Sequence, residues 1–100
     1  MKFSIPHDHP ALPGHFPGAP IVPGVVLLEY VLAAIDPDGT IGPLRLPQVK
    51  FLRPLLPGET AEVELEQVDR QDAMGQPLRR WRFRVRRGDT LLATGEVASA

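Results

Sequence analysis

Three residues in the first third of the chain have the types and surroundings needed for acid–base chemistry on a carbonyl compound. His15 lies between Gly14 and Pro17, where the backbone bends sharply, and a histidine on a rigid turn is a plausible base. Glu29 interrupts an apolar run, and a buried carboxyl group is a candidate general acid because burial disfavours its charged form. Gly24 lies where a helix would begin, and the free N–H groups of a helix N-terminus polarise a carbonyl oxygen placed there.

The residues alone leave a simpler interpretation of each open. Glu29 would reach solvent if one side of the helix were exposed. His15 would be an ordinary surface histidine, and Gly24 would be needed only for the backbone conformation. The run 7–9, His-Asp-His, is a weak candidate for a metal site together with His15. No helix or strand fixes its spacing, and metal sites need preorganised ligands, so we expect neither a metal nor a cofactor.

Composition restricts the classes of function that the chain can have. Its 100 residues suit one domain with a modest core, and a single domain over residues 1–100 is expected. A net charge of -1 gives no field that would attract nucleic acid or an anionic membrane, and the absence of cysteine excludes thiol catalysis. The longest apolar run, 25–35, is too short to span a bilayer, and the N-terminus lacks the apolar core of a signal peptide. We therefore expect a cytoplasmic protein without membrane or nucleic-acid partners.

Proline, glycine and hydrophobic periodicity predict the elements that position these residues. Residues 6–24 contain six prolines and three glycines, which predicts a long ordered loop of functional importance. Pro23 and Gly24 then open a helix over residues 25–35, which ends at the Asp-Pro-Asp-Gly sequence 36–39. Apolar residues lie on every face of this helix, so we expect the rest of the protein to wrap it.

The remaining residues have the alternation and turn signals of antiparallel strands. Strands are predicted at 2–5, 44–52, 60–68, 79–87 and 90–98, with turns at 54–58, 72–75 and 87–89. One central helix followed by consecutive strands indicates an α+β fold, in which a curved antiparallel sheet of about five strands surrounds a long central helix.

Two predicted strands carry rows of opposite charge. The rows are Glu62, Glu64 and Glu66 on one strand, and Arg80, Arg82, Arg84 and Arg86 on the other. If the strands pair antiparallel, the rows face each other as cross-strand charge pairs, each of which stabilises the fold by less than about 1 kcal/mol. The alternative is that the arginine row docks an acidic protein.

Two segments resemble the 3-hydroxyacyl-[acyl-carrier-protein] dehydratases of type II fatty-acid synthesis. Residues 14–29, GHFPGAPIVPGVVLLE, are similar to that family's active-site pattern: GHFPG, a short spacer, P-x-x-PG, and an acidic residue five positions after the last glycine. Residues 50–59, KFLRPLLPGE, resemble the family's next landmark, K-F-x-R-P-x-x-P-G-[DE]. The resemblance covers most of the chain from Asp8 onward and implies the hotdog fold.

The resemblance implies a role for each motif residue. His15 would remove the C2 proton of a 3-hydroxyacyl thioester, Glu29 would protonate or orient the departing 3-hydroxyl group, and the N–H of Gly24 would hold the thioester carbonyl. The substrate-binding residues would also include Phe16, Gly18, Pro23 and Val25. The implied substrate is carried on acyl carrier protein or coenzyme A. The implied assembly is an obligate homodimer, or a larger assembly of such dimers. In each dimer, the histidine and glutamate of one site come from opposite subunits.

One departure from the family and two other functions bear on this expectation. Only 14 residues precede His15, fewer than in typical members, which suggests a short relative of the kind found in aryl-polyene pigment pathways. A hotdog thioesterase would use a carboxylate-activated water and lack the GHFPG loop, and a non-catalytic acyl-binding partner would need neither His15 nor Glu29. Because both residues are present, we expect dehydration to a 2-enoyl thioester in fatty-acid or polyene/polyketide-type biosynthesis. Lys50 and Arg53 are alternative contacts for the carrier protein.

Overall fold

The computed structural model describes residues 1–6, 8–9, 21–71 and 73–99. The elements in chain order are β1 (Lys2–Ser4), α1 (Gly24–Ile35), β2 (Leu44–Phe51), β3 (Thr60–Gln67), β4 (Arg70–Gln71), β5 (Pro77–Leu78), β6 (Arg80–Arg87) and β7 (Thr90–Ser99). Five strands form one antiparallel sheet in the order β1-β3-β6-β7-β2. This layout, one helix against a five-stranded antiparallel sheet, confirms the predicted α+β class and is that of the hotdog fold.

A small extension of the hairpin between β3 and β6 was not predicted. Beyond the main sheet, β4 pairs with β5, with Arg70 opposite Leu78 and Gln71 opposite Pro77. The N–H of Val68 donates to the carbonyl of Arg80 at 2.8 Å, so the two strands stay together between the sheet and the extension. Strands of two residues carry too little alternation for a sequence pattern to reveal them.

The pairing of β3 with β6 confirms the prediction that the two charged rows face each other. The directly opposed residues are Glu62 and Arg86, Glu64 and Arg84, and Glu66 and Arg82. The ion pairs reach past the opposed residue: Arg86 pairs diagonally with Glu64. Arg80 and Arg82 pair instead with Glu96 of β7, at 2.8 and 3.7 Å. Much of the arginine charge on this outer face is therefore met by carboxylates of the same sheet.

The helix buries one face against the inner face of the sheet. Its buried residues are Val26, Leu27, Val31 and Ile35. Opposite them, β3, β6 and β7 contribute the inward-pointing side chains of the same core, among them Val63, Phe83, Val85 and Val97. At the edge of the sheet, the ring of Phe3 stacks on Tyr30 of the helix with centroids 4.2 Å apart. These contacts hold the helix across the sheet and so place its N-terminus.

The prediction that the helix is wrapped on every side, and with it the burial of Glu29, is wrong within this chain. Val25, Glu29 and Ala33 recur every four residues and form an exposed stripe, on which Val25 is 62% exposed. The physical reason is that the sheet of one chain covers one side of the helix only. Apolar residues on all faces thus indicate additional covering surface that the described part of the chain does not supply.

Candidate active site

The N-terminus of α1 presents backbone N–H groups without a side-chain cap from its own N-cap residue. Pro23 is the N-cap residue, with φ -59° and ψ 143°, and it makes no side-chain capping bond. The first turn also contains no acidic residue. The positive end of the helix dipole at Gly24 is therefore not balanced by a carboxylate of the helix itself, which suits it to polarise a carbonyl group.

Phe51, the last residue of β2, lies against Gly24. A Cβ atom added to Gly24 would lie 2.6 Å from Cζ of the Phe51 ring. Only glycine at this position allows the ring to come so close to the helix backbone. Phe51 nevertheless keeps 52% of its surface exposed, so it forms a partial wall over the start of the helix rather than part of the core.

An open cleft of about 550 Å³ lies between the start of the helix and the segment that leaves β2. This volume is in the range of small-molecule sites. Its lining residues are Ile21, Val22, Pro23, Gly24, Val25, Leu27, Phe51, Leu52, Arg53, Pro54 and Leu55. Arg53 is the one charged side chain among the described lining residues, and the rest are apolar apart from their backbone. The cleft suits an acyl chain with a polar or anionic group near Arg53.

Backbone hydrogen bonds fix the two walls of this cleft to each other and to the sheet. The N–H of Val22 donates to the carbonyl of Leu55 at 2.9 Å. The N–H groups of Leu52 and Arg53 both donate to the carbonyl of Leu92, at 2.8 and 3.2 Å. The segment that enters the helix and the segment that leaves β2 are therefore hydrogen-bonded to each other, and the second segment is bonded to β7.

The structure brings together three of the seven predicted site residues in this cleft. Pro23, Gly24 and Val25 line it. Glu29 does not line the cleft. It lies on the exposed stripe, about 7.5 Å beyond Gly24 along the helix axis. The other three predicted residues, His15, Phe16 and Gly18, lie outside the described residues.

Sequence reasoning missed the contribution of Phe51 and its neighbours to the cleft. Val49 packs against the core, and Phe51, two residues on, extends the same face of β2 toward the helix. The period-two alternation of β2 was therefore a usable signal for the inward direction of Phe51. Its approach to Gly24 could not be read from the sequence, because the two residues are 27 positions apart.

The described part of the chain contains neither a metal-binding cluster nor a membrane-spanning helix. Within it, no group of three or more histidine, cysteine, aspartate or glutamate residues is placed to hold a metal ion, while His7 and His15 lie outside it. No helix in the described ranges has both the length and the apolar character needed to cross a membrane.

Residues 1–96 match the model of the ApeI-like family, which is described as ApeI dehydratase. The chain belongs to the ApeI-like dehydratase family. The match includes the GHFPG motif at residues 14–18, the whole of α1 and nearly all of β7. The resemblance seen in the sequence motifs is thereby confirmed at the level of the family.

Several curated proteins similar to this family member are named 3-hydroxyacyl-[acyl-carrier-protein] dehydratase FabZ. The one from Rhodopseudomonas palustris strain HaA2 is 31% identical over 97% of this chain and 66% of its own length. The one from Magnetococcus marinus is 30% identical over 95% of this chain and 63% of its own length. A second from Rhodopseudomonas palustris, strain BisB18, is 32% identical over 71% of this chain and 54% of its own length. The chain thus spans between about half and two thirds of the length of these relatives.

Proposed function

We propose that the protein dehydrates a 3-hydroxyacyl thioester to a 2-enoyl thioester. The observation that carries the proposal is the helix N-terminus at Gly24, which opens into an apolar cleft in a chain whose family is a dehydratase family. The FabZ relatives are named for the same reaction on acyl-carrier-protein substrates. An apolar cleft accommodates an acyl chain, and uncapped N–H groups accommodate its thioester oxygen.

The proposed reaction uses three groups of the chain. The N–H of Gly24 donates to the thioester carbonyl, which stabilises negative charge on that oxygen when the C2–H bond breaks. His15 takes the C2 proton, and the electron pair left on C2 forms the C2–C3 double bond. Glu29 gives a proton to the C3 hydroxyl, directly or through a water molecule, so that the C3–O bond breaks and water leaves. A later proton transfer from His15 back to Glu29 restores both groups.

We propose that two copies of the chain associate along β2 and complete each other's sites. β2 is at the edge of the sheet, and exposed apolar side chains follow it and the nearby helix: Val25, Leu46, Phe51 and Leu52. An unpaired strand edge beside exposed apolar surface favours association. Glu29 lies on the same exposed stripe as Val25, so a second copy that covered this stripe would bury Glu29. In the proposed assembly, His15 of the second copy then completes the site with this Glu29.

The substrate carrier, the location and the domain organisation belong to the same proposal. We infer an acyl-carrier-protein thioester, with coenzyme A as the second carrier to be compared, because the relatives are named for carrier-protein substrates. Arg53 lies at the rim of the cleft and is the one cation among the described lining residues, so it would contact an anionic group of the carrier. These features fit a cytoplasmic protein that acts in fatty-acid or polyene biosynthesis and whose residues 1–100 form one hotdog domain.

A panel of substrates tests the reaction directly. The chain is incubated with 3-hydroxyacyl groups of several lengths, aliphatic and aryl, on carrier protein and on coenzyme A. Mass spectrometry then follows the loss of one water from the acyl group, and a thiol-reactive dye follows release of the carrier thiol. Loss of water without thiol release is the expected result. Thiol release instead would identify a thioesterase, and binding without either change would identify an acyl-binding protein.

A further inference from the structure

Arg87, at the end of β6, bonds to the turn that forms one wall of the cleft. Its Nη1 donates to the carbonyl oxygen of Pro54 at 3.0 Å and to Oε1 of Glu59 at 3.0 Å. The side chains of Arg87 and Glu59 are each 33% exposed. Hydrogen bonds with a charged partner are the stronger ones in proteins, and this guanidinium joins the first part of the turn to its end.

Glu59 continues the connection within the turn. The carboxylate oxygen that receives the Arg87 bond also accepts the N–H of Leu56 at 2.8 Å. Between these anchors, Pro54 and Leu55 line the cleft, and the carbonyl of Leu55 accepts the N–H of Val22. Arg87 therefore lies at the start of a series of bonds that ends two residues before Gly24.

We propose that Arg87 is a positioning residue, which sets the distance between the wall formed by Pro54 and Leu55 and the helix N-terminus at Gly24. This inference rests on the proposed function, since it assigns Arg87 to the same cleft. Arg87 does not line the cleft and is not a catalytic residue. Its effect passes through the turn, because a displaced Leu55 carbonyl would release the N–H of Val22 and with it the entry to the helix.

The neighbouring Arg86 supplies a matched control. It is also an arginine at the end of β6, its side chain is 35% exposed, and it also pairs with a glutamate, Glu64. That pair lies on the outer face of the sheet, away from the cleft. Arg86→Gln and Arg87→Gln thus remove the same charge from adjacent positions, and each leaves one carboxylate without its arginine partner.

The test compares steady-state kinetics of the two variants on a 3-hydroxyacyl carrier substrate. We expect Arg87→Gln to raise KM and lower kcat/KM on the order of tenfold, because small displacements in a site reduce rates steeply. The KM and kcat/KM of Arg86→Gln should stay within about twofold of those of the unchanged protein. A merely structural role would lower only the active fraction, and so the apparent kcat, with KM unchanged. Equal KM in both variants would overturn the proposal.

A second readout does not need activity. Hydrogen exchange of the Val22 amide should be faster in Arg87→Gln than in Arg86→Gln, because its bond to Leu55 is weakened. If the unchanged protein dehydrates no substrate, the proposed function fails, and this exchange difference alone decides the role of Arg87. Should Arg87→Gln fail to fold, Arg87→Lys keeps the charge with a different donor geometry and should raise both KM and the Val22 exchange rate above those of the unchanged protein. An Arg87→Lys variant with the KM and exchange rate of the unchanged protein would refute the role.

Discussion

The ring of Phe51 occupies the space that a side chain at Gly24 would need, with Cζ of Phe51 2.6 Å from the Cβ position of residue 24. The strand end and the helix start are thus fitted to each other at the place where we propose that the substrate carbonyl binds. Phe51 is half exposed, so its ring has room to move outward. A larger residue at position 24 would therefore be accommodated by displacing the ring, at the expense of the cleft.

Gly24→Ala should lower dehydration strongly while destabilising the fold by only about 1 kcal/mol. The added methyl group pushes Phe51 away and alters the wall of the cleft. A double-mutant cycle with Phe51→Ala, measured by urea unfolding, should show coupling, because the three atoms of the described residues nearest to the added methyl group all belong to the Phe51 ring. Independent, additive effects of the two substitutions would contradict this account.

Gly95→Ala should destabilise the fold by about 1–3 kcal/mol. A Cβ at Gly95 would lie 2.3 Å from the carbonyl oxygen of Gln48 and 2.8 Å from the ring of Phe83. The first of these atoms belongs to the backbone of a paired strand and cannot rotate away. Thermal or urea unfolding measures the effect, with Thr94→Ala as the control on the same strand. Equal stability of the two variants would show that β2 shifts freely.

Reversing one charge on the outer face should expose the balance between the two rows. Glu64→Lys places a cation beside Arg86 and opposite Arg84, so we expect a loss of about 1 kcal/mol that shrinks as salt is added. The double reversal Glu64→Lys with Arg86→Glu should recover part of that loss, because it restores the diagonal pair while residue 64 still faces Arg84 and residue 86 then faces Glu62. A loss that is insensitive to salt and not recovered by the double reversal would point to packing instead of charge.

His15→Ala and Glu29→Gln should each abolish dehydration without unfolding the protein. The first substitution removes the proposed base and the second removes the proposed proton donor, and Glu29 is exposed, outside the hydrophobic core of the described residues. Mass spectrometry of the acyl product measures activity, and circular dichroism checks the fold. Full activity in either variant would refute the mechanism.

Mixing these two inactive variants tests the shared site. If His15 and Glu29 of one site come from different chains, a mixed dimer has one intact site, and an equal mixture should recover about one quarter of full activity. Sedimentation should show a dimer that Leu46→Asp, on the exposed edge strand, converts to a monomer. No recovery in a mixture that does exchange subunits would place both residues of a site in one chain.

The local elements could be predicted closely from the sequence because each has its own periodicity. The predicted helix 25–35 differs by one residue from the observed Gly24–Ile35, and the predicted strand 60–68 is observed as Thr60–Gln67. The alternation of Glu64 and its neighbours also predicted that the glutamate row faces the arginine row, which the opposed pairs confirm.

The relations between distant elements could not be predicted in this way. The exposure of Glu29 depends on which faces of the helix the sheet covers, and periodicity does not contain that information. The contact of Phe51 with Gly24 and the bonds of Arg87 to the turn join segments that are far apart in sequence. The motif predicts which residues react, and the roles of His15, Phe16 and Gly18 stay predictions, since these residues lie outside the described part of the chain.

The order of strands in the sheet has a consequence for how the protein folds. β6 and β7 are joined by a tight turn and β3 meets β6 through one hairpin, so these three strands can pair locally. By contrast, β2 pairs with β7 across some forty residues of chain, and such non-local pairings carry a larger loop-closure entropy and form slowly. We expect a nucleus of β3, β6 and β7 to form first and β2 to dock late. The wall of the cleft that β2 carries would then mature late in folding, as would β1, whose pairing with β3 is also non-local.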